Sequence, residues 1–308
     1  MRGDGMDDMD STGSGRSQWR RFVDYPLVAM VAAIVAYVLT VMVAGAVQIL
    51  LVPPIAGFSF EMTFDLVAIP LLILVYEFVI RRLGDHPRDD FRDRHALRHL
   101  VFGLGTGFIV FSAAVAVAAL IGVYRLQGEG DLSGLLPAFL AAALFPAISE
   151  EMLFRGIIFR WTEEWGGSWV ALVASSVLFG AAHAFNPGSS WVATSFIAIE
   201  AGVLLGGAYM LTRSLWMPMG LHAAWNFTQG EIFDIPVSGL DQHGLVAAKM
   251  AGPRLLTGGT FGLEASLLTL IVATLAGLWI VWLAIRRGQL VQPRWVHRRQ
   301  LSASRTDP

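Results

Sequence analysis

Residues 26–51 read PLVAMVAAIVAYVLTVMVAGAVQILL, an uninterrupted run without a charged side chain. A helix that crosses a bilayer needs about 20 predominantly apolar residues. This run therefore predicts a membrane-spanning helix. Reading outward from it, the same criterion marks Phe64–Ile80, Leu100–Val123, Leu135–Phe159, Trp169–Ala184, Val192–Leu211, Trp216–Thr228 and Leu263–Ile285. The expected fold is all-α, a polytopic transmembrane helical bundle of about eight spans. Trp169–Ala184 and Trp216–Thr228 are short, and a short apolar segment can re-enter rather than cross when other helices bury it.

Composition agrees. The 308 residues are 55% hydrophobic and 15% charged, against about 25% charged in ordinary soluble domains. Mean hydropathy is +0.59. There is no cysteine, which excludes disulfides, cysteine nucleophiles and thiolate metal sites. The net charge of −2 is uninformative about partners, but the placement of charge is not. Arginine gathers in segment 81–98, in the N-terminal tail and in the tail after Ile285, with Arg160 and Arg213 at further helix ends. The opposite loops hold Arg125, Lys249 and Arg254. By the positive-inside rule both termini are expected in the cytoplasm, which requires an even number of spans. Eight spans satisfy it, and so do six with the two short segments re-entrant.

The organisation follows. Residues 1–21 are polar and rich in Gly, Ser and Asp, a composition that cannot bury enough apolar surface to fold alone, so a disordered cytoplasmic tail is expected. Residues 22–134 carry N-terminal membrane helices and the basic cytoplasmic loop 81–98. Residues 135–228 hold the polar membrane residues, 229–262 an outer loop, 263–285 the last span and 286–308 a basic cytoplasmic tail. Gly202 and Gly206 have the GxxxG spacing that lets two helices approach closely.

An ionisable residue inside a membrane helix costs about 2.5–3.5 kcal/mol on insertion scales, so it normally faces a cavity or a partner. The fourth span reads FPAISEEMLFRGIIFR from Phe145 to Arg160. Glu151 and Arg155 are four apart and share a helix face, where they can pair. Glu150 points about 100° away and lacks a local partner. A carboxylate so placed suits a general base near neutral pH. The fifth span ends LFGAAHAFN, with His183 one turn after Phe179, and the seventh contains LHAAWNF, with His222 and Asn226 on one face. A single His at a helix end is commonly structural. Two His, an Asn and a carboxylate pair on three apolar segments are better read as one constellation. Imidazoles can move protons or bind metal, and Asn226 can donate to an oxyanion.

Other polar groups take the plainer reading. Glu163 and Glu164 are expected at the solvated membrane edge, Asp65 near a helix start and Glu77 close to the basic edge. His86, His95, His99, His243 and His297 fall in or next to loops. Glu200 lies deep in the sixth span without an evident role.

The motifs EExxxR (Glu150 to Arg155), FxxxH (Phe179 to His183) and HxxxN (His222 to Asn226), in this order on successive apolar segments, resemble those of the CPBP (CAAX protease and bacteriocin-processing, Abi) family of intramembrane endopeptidases, related to the type II CAAX prenyl endopeptidase. The resemblance covers about Leu135 to Thr228. It implies an intramembrane hydrolase cleaving membrane-associated proteins or peptides at a multi-pass site in the cell membrane. It implies Glu150 as activator of the attacking water with His183 as its partner, His222 and Asn226 as ligands of the oxyanion, and Glu151 holding Arg155, with Phe179 and Arg155 in support. Glu150, His183 and His222 are also the residue types of a zinc or other divalent-metal site with an open position. A metal-free glutamate mechanism uses the same groups, and both stay open. The expected partners are the lipid bilayer and a membrane-anchored substrate, with no nucleic acid. Two other functions use related residues. A proton-coupled transporter also carries intramembrane Glu and His, although such carriers often show internal repeats and none is visible here. A non-catalytic membrane scaffold would have no need of the three motifs.

Overall fold

The computed structural model describes residues 18–51, 60–84, 89–131, 135 and 139–296. Of the expected N-terminal tail, residues 1–17 lie outside the described residues, and Gln18–Val23 form a short helix, α1. Residues 297–308 of the expected basic tail, together with His86 and His297, also lie outside them.

The chain is helical throughout its apolar runs. Helices α2 (Pro26–Leu51), α3 (Phe60–Ile80) and α4 (Ala96–Leu120) come first. Helix α5 (Phe145–Glu151) is flanked by two wider π-helical stretches, Phe139–Leu144 and Met152–Phe159. Then follow α6 (Arg160–Ala182), α7 (Trp191–Thr212), α8 (Trp216–Phe227), the single turn α9 (Arg254–Thr257) and α10 (Leu267–Arg286). Local sequence explains several starts. Ser190 and Ser266 cap α7 and α10, each hydroxyl accepting a backbone N–H at 3.2 Å. Pro218 falls in the first turn of α8, where its missing N–H costs nothing.

Six helical runs are long and apolar enough to cross a membrane by length and composition. They bear out a polytopic helical bundle and refine the expected eight segments. The fourth and fifth expected spans are a single 47-residue run, Phe139–Phe185. Straight, it would extend about 70 Å, more than twice the hydrocarbon thickness. It breaks at Gly167, whose φ of 81° is a left-handed conformation open to glycine. The seventh expected segment is the 12-residue α8, too short to be counted among the six.

Close backbone approach sets α8 in place. A Cβ on Gly103 of α4 would lie 2.2 Å from the Met217 carbonyl oxygen, and one on Gly107 would lie 2.3 Å from that of Leu221. Only glycine lets these helices touch. The GxxxG pair Gly202 and Gly206 likewise packs against α6, at Ser176 and Leu172.

Charge pairs gather the basic end. Arg160 is buried against Asp90 at 3.0 Å, and Tyr209 donates to the same carboxylate at 2.9 Å. Glu163, expected to be solvated, is instead buried, where it accepts from Ser168 and pairs with Arg213. The reason is the break at Gly167, which brings Ser168 and the segment after α10 beside Glu163, where Ser168 N–H reaches Val291 O at 3.0 Å.

The loop expected on the outer side is structured. Tyr124–Glu129 (β1) and Val246–Met250 (β2) form an antiparallel ribbon, with Tyr124 opposite Met250 and a bulge between Leu126 and Gly128. The rest of the loop folds back over the helix ends and delivers the 3-10 turn Leu263–Ala265 to the interior.

Candidate active site

The site forms where α5, the end of α6 and α8 meet. Wide π turns lie on both sides of Phe145–Glu151, a winding often found at functional positions. Glu151 faces inward and is fully buried. Its Oε1 accepts from Arg155 Nη1 at 2.9 Å, as the four-residue spacing predicts. Arg155 is also fully buried and donates from Nη2 to the Ala201 carbonyl at 3.3 Å.

The same Glu151 oxygen accepts from His222 Nδ1 at 2.9 Å. His222 therefore presents Nε2 on its other side, 4.0 Å from Glu150 Oε2. Glu150 keeps partial exposure, and that oxygen is buried without a hydrogen-bond partner among the described residues. The carboxylate expected to be left over by the helix geometry is indeed the one without a local partner.

His183 stands where α6 tightens into the 3-10 turn His183–Phe185. Its Nδ1 lies 2.8 Å from the Phe179 carbonyl oxygen. A carbonyl only accepts, so Nδ1 donates here and Nε2 is the ring nitrogen left for another partner. The Phe179 ring ties the motifs together. It packs 4.6 Å from the Arg155 guanidinium carbon, 4.9 Å from the His183 ring and 6.0 Å from the His222 ring. Asn226, one turn after His222, donates one amide hydrogen to the Ala142 carbonyl at 2.9 Å and retains a second.

His183, His222 and Asn226 line one cavity of about 30 Å³, room for a water or two. Glu150 stands beyond His222 rather than on the cavity wall. No hydrogen bond or ion pair among the described residues joins Glu150 to His183, so the carboxylate's nearest imidazole is His222. Two further acids line the cavity, Glu200 from α7 and Glu264 from the 3-10 turn before α10, with Ser238 beside them. Glu200 stood out in the sequence as an unexplained buried charge. Glu264 carried no comparable signal, since it reaches the cavity only through the fold of the outer loop.

The side chains do not gather as a metal site. Among the described residues, no three His, Asp or Glu side chains converge closely enough to hold an ion. His183 and His222 each commit Nδ1, to a carbonyl and a carboxylate, and offer only Nε2. Glu150, His183 and His222 thus form no three-ligand set in this arrangement.

Residues 132–228, about a third of the chain, match the family described as Type II CAAX prenyl endopeptidase Rce1-like. The match spans all three motifs and supports the CPBP/CAAX protease family and, in general terms, a multi-pass membrane protease. No curated protein and no solved structure matches the chain.

Proposed function

We propose that this protein is an intramembrane endopeptidase in which Glu150 activates water against a peptide bond of a membrane-associated substrate. The observation that supports this most is the placement of an unpartnered Glu150 oxygen 4.0 Å from His222 Nε2, beside the cavity shared with His183 and Asn226. A water about 2.8 Å from both atoms is sterically reasonable at that separation.

Glu150 takes a proton from this water as its oxygen attacks the carbonyl carbon. The carbonyl oxygen becomes an oxyanion, for which Asn226 offers its remaining amide hydrogen and a protonated His222 offers Nε2–H. His222 can carry that second proton because Glu151 accepts at Nδ1 and Glu150 faces Nε2. Collapse breaks the C–N bond, and protonated Glu150 returns its proton to the leaving amine. His183, through its free Nε2, orients the water or the substrate peptide group from the cavity wall. Glu151 and Arg155 hold His222 in register. In this reading the chemistry needs no metal.

The test uses the full-length protein in detergent and a panel of membrane-anchored peptides, with and without a prenyl group. Wild type should cleave members of the panel and Glu150→Gln should not. Equal cleavage by both would remove Glu150 from the mechanism. A prenyl requirement would mark a substrate like that named in the matched family.

A further inference from the structure

The cavity has a second wall that the hydrolytic scheme does not use. Glu200 is 1% exposed and Glu264 is 6% exposed, and both line the space that His183 and His222 also line. Glu264 accepts a hydrogen bond from the Ser238 backbone N–H, whereas Glu200 Oε2 is buried without any hydrogen-bond partner among the described residues. Burying two acids in the wall of one cavity is costly unless a cation or a proton offsets each of them. Arg155 is engaged with Glu151 and the Ala201 carbonyl. Among the described residues no Lys or Arg lines the cavity, and His183 and His222 are its groups able to carry positive charge. Between the acids and the histidines the walls are aliphatic, formed by Ile197, Leu204 and Leu205.

We propose that Glu200 and Glu264 form a specificity subsite for a basic side chain, Lys or Arg, of the substrate next to the bond that is cut. The inference rests on the peptidase reading and adds the substrate's chemistry to it. The cavity as it stands holds a water or two, so the side chain would displace them and part the aliphatic wall, its apolar stem lying along Ile197, Leu204 and Leu205 and its charged head reaching the carboxyls. Such a side chain buries its methylenes while its cationic end finds a partner. It would also supply the hydrogen bond that Glu200 Oε2 lacks. A metal cation is a poorer occupant, because no group of three ligating side chains converges among the described residues.

The experiment presents the full-length enzyme in detergent with membrane-anchored peptides. They differ only in carrying Lys, Arg, norleucine, Gln or Glu at positions within three residues of the cut bond. At one position, kcat/KM for Lys or Arg should exceed that for norleucine by at least tenfold. The ratio should fall toward one in Glu200→Gln and in Glu264→Gln. Because the ratio is taken within each variant, a general loss of activity does not imitate it. Should neither variant fold, competition on the wild type decides. Butylammonium or butylguanidinium should inhibit cleavage of the norleucine peptide competitively, and neutral butanol should not. A ratio near one in wild type, a ratio unchanged in both variants, or equal inhibition by cation and alcohol would overturn the subsite. Cleavage of norleucine and Lys peptides alike would leave the peptidase reading standing. Failure of wild type to cleave any peptide would remove that reading and the subsite with it.

Discussion

His222 Nδ1 and Glu151 Oε1 stand 2.9 Å apart, and the same carboxylate oxygen also receives Arg155 at 2.9 Å. One buried carboxylate therefore serves two helices. It neutralises the guanidinium four residues on and fixes which nitrogen of His222 faces Glu150.

These two duties separate by mutation. Glu151→Ala leaves the Arg155 charge buried without its partner, a loss of about 3–5 kcal/mol. Replacing the buried pair together, as Glu151→Met with Arg155→Met, should recover most of that stability, because apolar replacements of a buried ion pair are often neutral. Activity should not recover, since His222 still lacks the group that orients it. Losses of 10–100-fold are usual for such outer partners in metal sites. Thermal melts and peptide cleavage on the two variants check both halves. Recovered activity in the double variant would show that Glu151 matters only as the counterion.

Glu150 should behave in the opposite way. It is partly exposed, and among the described residues Oε2 makes no hydrogen bond. Glu150→Gln should therefore leave the melting temperature nearly unchanged while kcat falls about 10²–10⁴-fold, the usual span for a lost general base. A large drop in stability with a small drop in kcat would point to a structural role.

Metal independence is a further expectation. Dialysis against a strong chelator should leave cleavage unchanged, and metal analysis of active protein should find less than one equivalent bound. Loss of activity restored by zinc alone would mean that Glu150, His183 and His222 rearrange around an ion.

The seam between α4 and α8 offers a test remote from the chemistry. Gly107→Ala puts a methyl about where the Leu221 carbonyl oxygen lies, 2.3 Å from the ideal Cβ position. That contact is with backbone, so α8 must shift and carry His222 and Asn226 with it. Activity and stability should both fall. Gly105→Ala, on the same helix with nothing within 4 Å, is the control and should be neutral or slightly stabilising. Equal effects of the two substitutions would mean that helix propensity, not the close approach, is being measured.

The bundle was legible because membrane helices announce themselves through long apolar runs, and the motif residues through charges misplaced in them. The Glu151–Arg155 pair followed from helical spacing alone. What failed were features set by tertiary contact. Glu163 looked solvated by its place in the sequence, yet the break at Gly167 turns it onto Arg213 and Ser168. The pairing of Tyr124–Glu129 with Val246–Met250 joins strands more than a hundred residues apart, and the outer loop between helices gives no periodic signal for it. Glu264 reaches the cavity by the same folding of the loop. The 4.0 Å approach of His222 to Glu150 depends on helix crossing rather than on any spacing within one helix.

The loop also carries a pH-dependent element. Both carboxyl oxygens of Glu231 are buried without hydrogen-bond partners among the described residues. Burial pushes this carboxyl from 4.5 up to about 7, against a smaller downward pull from His243. The folded protein therefore holds the proton more tightly than the unfolded chain. Below about pH 4.5 both states are protonated, and the favourable contribution is fully present. Between about 4.5 and 7 the unfolded chain ionises first, so stability falls as pH rises. Above 7 the loss is complete and the curve levels. Glu231→Gln keeps the shape of the group and removes its ionisation. The gap in melting temperature between this variant and wild type should therefore widen in the variant's favour from pH 5 to pH 7, and then hold constant to pH 8. Parallel melting curves for the two proteins across that range would show that Glu231 is ionised in the fold already at pH 5.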